Sequence, residues 1–192
     1  MSFKISEQAQ KKAEELLNYY PDKKSAVMPL LFIVQEENNY ISEDGVAWVS
    51  KLTEIPPVHI NELVTFYTMY KDKPKGKYHI QVCRTLSCAV LGAKNVVECF
   101  KKKLGINLNE VSNDGMWSME EVECLGSCGT GPMCEINDTY FENLTEEKIE
   151  KIINAIEEQQ PDLSFSTVKD KLGEGLKEFA KSEVHFCKGC SK

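Results

Sequence analysis

Apolar side chains in the first 70 residues recur every three or four positions, which is the spacing of amphipathic helices. This pattern predicts four helices. We expect the first to be capped by Ser6 and the second by Ser25, the third to follow Ser42, and the fourth to begin at Pro57. The first helix carries its apolar stripe at Ala9, Ala13, Leu16, Leu17 and Tyr20. Residues 1–70 are therefore predicted to form a helical arm.

The pattern changes after Tyr70. Residues 71–76 are polar, contain both proline and glycine, and are interpreted as a linker. Helices are predicted from Ala89 to Leu104 and after the capping residue Thr145. Strands are predicted at residues 79–82, 116–123, 132–136 and 140–141. Residues 77–160 are thus expected to form a second domain, and the fold class is α+β.

Four of the eight cysteines stand in two pairs, and each pair follows a predicted strand. Four residues separate Cys83 from Cys88, and three separate Cys124 from Cys128. The usual zinc ribbon has two intervening residues, whereas longer loops suit the wider span of a two-iron cluster. We therefore interpret the pairs as a [2Fe-2S] site. The element order βαββα, with cysteines in its first loop, is that of a thioredoxin-like domain.

The paired cysteines are also compatible with a structural zinc site or with two disulfides, and both alternatives stay open. The N-terminus has no apolar signal segment, which predicts a reducing compartment and argues against disulfides. Cys99 and Cys134 are interpreted as small apolar fillers, with an indirect role near the second pair left open for Cys134. His59 and His79 are not expected to be ligands, because four cysteines already complete the set.

Composition and charge exclude several classes of function. The chain has 192 residues, of which 42% are hydrophobic, enough for one ordinary domain with an attached arm. The formal charge of -7 argues against nucleic-acid binding and favours a basic protein partner. The longest apolar run, Val27–Val34, is too short to span a membrane.

The stretch Gly126–Gly131 is glycine-rich and follows a predicted strand. A phosphate-binding loop must open a helix, whereas Pro132 leads into another predicted strand. We interpret these glycines as positions where backbone amides approach sulfur. No Ser/His/Asp set, HExxH motif or motif-placed pair of acids is recognised, so the expected chemistry is one-electron transfer.

Several stretches together carry a family resemblance. They are Pro29–Leu31, Gln35-Glu36 and Tyr40–Ser42 in the arm, then Thr65–Tyr70, Gly76–Cys83 and Glu121–Cys128. On these stretches, about residues 5–158 resemble the thioredoxin-like [2Fe-2S] subunit of NADH:quinone oxidoreductase (complex I). Small subunits of NAD-linked formate dehydrogenases and of NAD-linked hydrogenases are similar in the same way.

The resemblance implies a cluster held by Cys83, Cys88, Cys124 and Cys128. It also implies a partner flavoprotein subunit that binds FMN and NADH, together with further subunits of the parent complex. It does not choose between the three kinds of complex, of which NADH:quinone oxidoreductase is our main interpretation. We expect a cytoplasmic protein, or one held peripherally at the inner face of a membrane by its complex.

Two other functions are compatible with the cysteine pairs. A free-standing ferredoxin-like carrier has little use for a helical arm of this size, whereas a permanent subunit needs surface to bury. A zinc-stabilised interaction module without redox function is the third alternative.

The resemblance does not cover residues 161–192, which are predicted to form a tail. The stretch 161–166 is interpreted as a tether that precedes a weak helix. The chain ends with His185, Cys187 and Cys190, a half-site that offers up to three ligands to a metal that prefers four. The alternative is a disordered tail with two spare thiols.

Overall fold

The computed structural model describes residues 3–164 and divides into two units between Lys75 and Gly76. Unit 1 is helical, and unit 2 contains the sheet. No helix among residues 3–164 has both the length and the apolar character needed to cross a membrane.

The four predicted helices of unit 1 are present as α1 (Glu7–Tyr19), α2 (Val27–Asn38), α3 (Glu43–Thr53) and α4 (Pro57–Phe66). The predicted cap at Ser6 is confirmed, and Ser42, which was predicted only to precede the third helix, is the cap of α3. The hydroxyl of Ser6 accepts the amide of Ala9 at 3.1 Å, and that of Ser42 accepts the amide of Gly45 at 3.2 Å. These bonds satisfy amides that have no partner inside the helix.

The predicted cap at Ser25 is wrong. Ser25 lies inside a short 3-10 helix, Lys23–Ala26, whose own cap is Asp22. The amide of Val27, the first residue of α2, donates to the carbonyl of Lys24 in that turn. The preceding turn therefore leads directly into α2, and no side-chain cap is present there.

The core of unit 1 is formed mainly by α2, which buries Leu30, Leu31, Ile33 and Val34 completely. The end of the unit is tied to the same helix. The hydroxyl of Tyr70 donates to the carbonyl of Met28 at 3.0 Å, and the amide of Lys71 donates to the side chain of Gln35 at 2.6 Å.

Unit 2 contains the strands β1 (Tyr78–Cys83), β2 (Trp117–Val122), β3 (Cys134–Ile136) and β4 (Thr139–Phe141) and the helices α5 (Leu86–Val90), α6 (Ala93–Leu104) and α7 (Glu146–Gln159). The sheet order is β2-β1-β3-β4. β1 and β2 are parallel, whereas β3 pairs antiparallel with β1 and β4 antiparallel with β3. The predicted α+β class and the cap at Thr145 are confirmed.

The single helix predicted from Ala89 to Leu104 is in fact two helices. Gly92 separates α5 from α6 and adopts φ 98°, a left-handed conformation that interrupts an α-helix. α5 begins at Leu86, earlier than predicted, so it includes part of the first cysteine loop.

The core of unit 2 lies between one face of the sheet and the helices α6 and α7. Alternate residues of β1, namely Tyr78, Ile80 and Val82, are buried there together with Phe100 and Ile156. Residues 161–163, which the sequence assigns to the tail, take part in this unit. Leu163 is 2% exposed within the core, and the carbonyl of Pro161 accepts the hydroxyl of Tyr78 at 3.0 Å.

Candidate metal centre

The two cysteine pairs follow two neighbouring parallel strands. Cys83 is the last residue of β1 and lies opposite Val122, the last residue of β2, two positions before Cys124. The carboxyl ends of parallel strands lie at the same edge of a sheet, so the two cysteine loops lie beside each other at that edge. The pairing of β1 with β2 therefore explains why residues about forty positions apart in sequence form one site.

The first pair is buried. Cys83 and Cys88 are each 2% exposed, and α5 places Cys88 back towards the end of β1. Each of the two thiols shifts the pKa of the other. The hydroxyl of Thr85 lies 3.1 Å from the sulfur of Cys83. This pair is shielded from water and surrounded by hydrogen-bonding groups.

The second pair is exposed. The sulfurs of Cys124 and Cys128 lie 3.7 Å apart, and the amide of Gly126 donates to the sulfur of Cys124 at 3.4 Å. Gly126 has φ 84°, which L side chains rarely adopt. At Gly126 a backbone amide therefore approaches the sulfur of one predicted ligand.

Side chains of the first loop reach the thiols of the second. The side chain of Thr85 lowers the pKa of Cys124, and that of Ser87 acts in the same direction on the pKa of Cys128. Beside them, Arg84 and Glu123 form an exposed ion pair at 2.5 Å. The two thiol pairs therefore belong to a single site.

Each pair contains one thiol that ionises more readily than the other. Burial opposes ionisation of Cys83, but hydrogen bonds from Thr85 and the backbone of Leu125 outweigh it and lower the pKa of this thiol. Burial and the hydrogen bond to Cys83 raise the pKa of Cys88.

The second pair behaves in the same way. The amide of Gly126 and the hydrogen bonds from Cys128 and Thr85 lower the pKa of Cys124. The hydrogen bond to Cys124 and the charge on that thiol raise the pKa of Cys128. A bound metal cation would lower the pKa of all four thiols, because coordination removes the proton from a thiol.

The donor set fits a [2Fe-2S] cluster. Such a cluster takes four cysteine thiolates, two on each iron, and the structure supplies two thiol pairs. Gly131 packs closely against the first pair, since a Cβ added there would lie only 3.2 Å from the sulfur of Cys88. Among residues 3–164, no three His, Cys, Asp or Glu side chains form a group that could hold one metal ion.

The sequence did not reveal what holds the second cysteine loop. The hydroxyl of Tyr140 donates to the carbonyl of Leu125 at 2.8 Å, and Glu142 accepts the hydroxyls of Ser127 and Thr130. Tyr140 and Glu142 stand 12 to 15 residues from these partners, and no local pattern relates them. Only the pairing of β4 with β3 brings them beside the loop.

The remaining cysteines of the described chain lie in the core. Cys134 is fully buried on β3, and burial raises the pKa of its thiol well above the usual range. Cys99 is half-buried on α6 and packs against the core of unit 2. Both positions agree with their interpretation as fillers. All six cysteines among residues 3–164 are free thiols, so no disulfide is present in that part of the chain.

The two histidines of the described chain have partners other than cysteine. Both ring nitrogens of His79 are engaged, at 2.8 Å from the hydroxyl of Ser118 and 2.9 Å from the carboxylate of Glu120. His59 lies on α4 and contacts Glu62. The predicted half-site of His185, Cys187 and Cys190 lies outside the described residues.

Comparisons with known proteins show the family of the chain. The profile of the thioredoxin-like [2Fe-2S] ferredoxin family matches residues 13–157. A subunit of NADH-quinone oxidoreductase from Rickettsia felis is 41% identical over 145 residues, which are 74% of this chain and 87% of that protein. The corresponding subunit from Rickettsia bellii is 42% identical over 147 residues, 75% of this chain and 88% of that one.

A solved structure shows the same fold. In a crystal structure of an NAD+-reducing [NiFe]-hydrogenase in the H2-reduced state, one chain aligns with a TM-score of 0.62 and 20% identity. The alignment covers 72% of this chain and 24% of that chain, so this chain spans about a quarter of the hydrogenase chain. The resemblance carried by the motifs is confirmed, and the chain belongs to the thioredoxin-like [2Fe-2S] ferredoxin family.

Proposed function

We propose that this chain is the [2Fe-2S] electron-transfer subunit of an NADH-oxidising complex, with Cys83, Cys88, Cys124 and Cys128 as the cluster ligands. The observation that carries the proposal is the meeting of two thiol pairs at the ends of β1 and β2. The relatives at about 40% identity are subunits of NADH-quinone oxidoreductase, which favours that complex as the parent. The hydrogenase similarity supports the fold alone.

The residues of this chain hold the cluster and adjust its properties. When bound, a [2Fe-2S] cluster supplies one-electron chemistry. The four thiolates anchor it. The amide of Gly126 donates to the sulfur of Cys124, and the hydroxyl of Thr85 lies within hydrogen-bond distance of the sulfur of Cys83. Such hydrogen bonds stabilise negative charge on sulfur and therefore raise the reduction potential.

The partner that we propose is a flavoprotein subunit that binds FMN and NADH. Around the first cysteine loop, Leu86, Val90 and Leu91 are 79%, 77% and 54% exposed, an unusual concentration of apolar side chains on a short surface segment. Electron transfer requires the partner to lie close to the cluster. We therefore assign these three residues to the contact with the flavoprotein, in a complex held peripherally at the inner face of a membrane.

Two alternatives remain as proposals with less support. Unit 1 is a folded helical unit with its own buried core, and a free-standing carrier would have no function for it. A zinc-stabilised module predicts a colourless protein, which the first experiment detects directly.

The first experiment measures the metal. Protein purified without oxygen should be red-brown, contain iron and acid-labile sulfide in equal amounts, and give the EPR signal of a reduced [2Fe-2S] centre after dithionite. Stoichiometric zinc without iron or sulfide would refute the proposal in favour of the zinc module.

The second experiment tests the partner. The tagged protein is expected to co-purify with an FMN-containing subunit, and Leu86→Lys should weaken this association because it places a charge in an apolar contact. Val111→Lys is the matched control. Val111 is also exposed, but it bridges Ser118 near the start of β2, at the opposite end of the sheet from the thiols. Equal loss of the partner in both variants would count against this contact.

A further inference from the structure

Cys128 lies on a segment with little regular structure. Between the end of β2 at Val122 and the start of β3 at Cys134, the one regular element is the 3-10 helix Cys128–Thr130. Both thiols of this segment are exposed. Contacts from elsewhere in unit 2 must therefore fix the position of Cys128.

The chain after β4 supplies part of this support through its backbone. The amide of Asn143 donates to the carbonyl of Thr130 at 2.7 Å, and the amide of Leu144 donates to the carbonyl of Pro132 at 2.9 Å. Both carbonyls follow Cys128 in sequence.

On the other side of Cys128, the hydroxyl of Tyr140 holds the carbonyl of Leu125 at 2.8 Å, and the carbonyl of Ser127 accepts the amide of Thr130 at 3.2 Å. The hydroxyls of Ser127 and Thr130 also lie 2.6 Å apart.

Glu142 restrains the loop on both sides of Cys128. One oxygen of its carboxylate, Oε1, accepts the hydroxyl of Ser127, the residue before Cys128, and the hydroxyl of Thr130 at 2.5 Å. Hydrogen bonds to a carboxylate are about twice as strong as bonds between neutral groups. Glu142 is half-buried, which limits competition from water.

The same side chain brings a negative charge to the cysteine loop. Reduction adds an electron to a bound cluster, and a nearby negative charge opposes that addition. Glu142 therefore has two separable properties, its acceptor oxygen and its charge.

We propose that Glu142 is a positioning residue, which holds Cys128 in place for the [2Fe-2S] cluster and lowers the reduction potential of that cluster. This inference rests on the proposed function, because it requires a cluster on the four cysteines. It assigns a role to a residue outside the cysteine motifs.

Two variants separate the two properties. Glu142→Ala removes both, so iron should be released to a chelator about tenfold faster than from the wild type, the effect expected for losing a bond to a charged group. Glu142→Gln keeps an oxygen that accepts both hydroxyls but removes the charge. In Glu142→Gln, iron release should be as slow as in the wild type. At the midpoint potential of the wild type, however, the ratio of reduced to oxidised cluster in this variant should be about threefold higher than in the wild type.

Redox titration followed by EPR measures the midpoint, and circular dichroism verifies that both variants are folded. Glu147→Gln is the charge-matched control, because Glu147 is an exposed residue of α7 that pairs with Lys151. Wild-type iron release from Glu142→Ala, or a wild-type midpoint in Glu142→Gln, would overturn the inference while leaving the proposed function intact. A wild-type protein without iron would overturn both.

Discussion

Cys83 and Cys124, one from each pair, have lowered pKa values, and the side chain of Thr85 contributes to both shifts. Burial, followed by the hydrogen bond to Cys83, raises the pKa of Cys88, and the hydrogen bond to Cys124 raises the pKa of Cys128. The readily ionised thiols thus belong to different loops.

Cysteine substitutions test the ligand set. Serine in place of Cys83, Cys88, Cys124 or Cys128 should reduce bound iron to less than about half of the wild-type amount, because a hydroxyl is a poorer iron ligand than a thiolate. Cys99→Ser and Cys134→Ala are the controls and should retain iron. Iron and sulfide analysis of the purified variants makes the measurement. Equal loss at all six positions would show that the ligands are misassigned.

The control at Cys134 is alanine for a structural reason. Cys134 is completely buried on β3, and a serine hydroxyl there would need a hydrogen-bond partner inside the core. Alanine leaves only a small cavity, which costs less than an unsatisfied polar group.

Ligand residues and supporting residues differ in how far the sequence reveals them. The four cysteines are recognisable because their chemistry is specific and each pair is local in sequence. Thr85, Ser87 and Glu142 are ordinary polar residues, and their contacts with the second loop arise only when β1, β2 and β4 are assembled. Their roles therefore could not be predicted from type or spacing.

At the scale of elements, helices with clear periodicity were predictable and their junctions were not. The caps at Ser6, Ser42 and Thr145 follow from local chemistry, and all three are present. The break at Gly92 was missed because the apolar spacing continues across it. Glycine tolerates the left-handed conformation that turns α5 away from α6, and this conformation leaves no hydrophobic signal.

Gly76 shows how closely the elements of unit 2 pack. A Cβ at this position would lie 2.4 Å from the carbonyl carbon of Trp117 and 2.7 Å from the amide nitrogen of Ser118, and both are backbone atoms that cannot rotate away. The amide of Gly76 also donates to the hydroxyl of Ser118 at 2.9 Å. The start of β1 can therefore approach β2 only with glycine at this position.

Gly76→Ala should consequently destabilise the protein by about 2 kcal/mol, the cost expected when an added methyl group displaces packed neighbours. Urea unfolding followed by circular dichroism measures this change in the free energy of unfolding. Gly129→Ala is the control, since a Cβ there would meet nothing within 4 Å. If the two variants unfold at the same urea concentration, the close approach of β1 and β2 at Gly76 is not important for stability.

At the scale of the whole molecule, the family profile extends over both units, from residue 13 to residue 157. Unit 1 has its own core, yet it also exposes large apolar side chains, with Tyr19 at 71% and Phe66 at 77%. Apolar groups of this size on a surface are typical of contact sites with other proteins. This favours a permanent subunit over a mobile carrier.

Residues 161–163 pack against the rest of unit 2. The side chain of Leu163 is buried. The carbonyl of Leu163 accepts the amide of Asp138 at 3.0 Å and the hydroxyl of Thr139 at 3.3 Å. These contacts tie residues 161–163 to the turn between β3 and β4 and to β4 itself. The sequence placed this segment in the tail because one leucine among polar residues has no periodicity from which burial could be predicted.

Two truncations follow from this position. Removal of residues 165–192 should leave the EPR spectrum and the cluster content unchanged, while any additional metal held by the predicted half-site of Cys187 and Cys190 is lost. Removal of residues 161–192 should also lower the free energy of unfolding by about 2–3 kcal/mol, because the burial of one leucine is lost. Urea unfolding, EPR and metal analysis of both truncations make the comparison. Loss of the cluster in the shorter deletion would show that the tail takes part in the [2Fe-2S] site, and equal stability of the two truncations would show that Leu163 contributes little to the core.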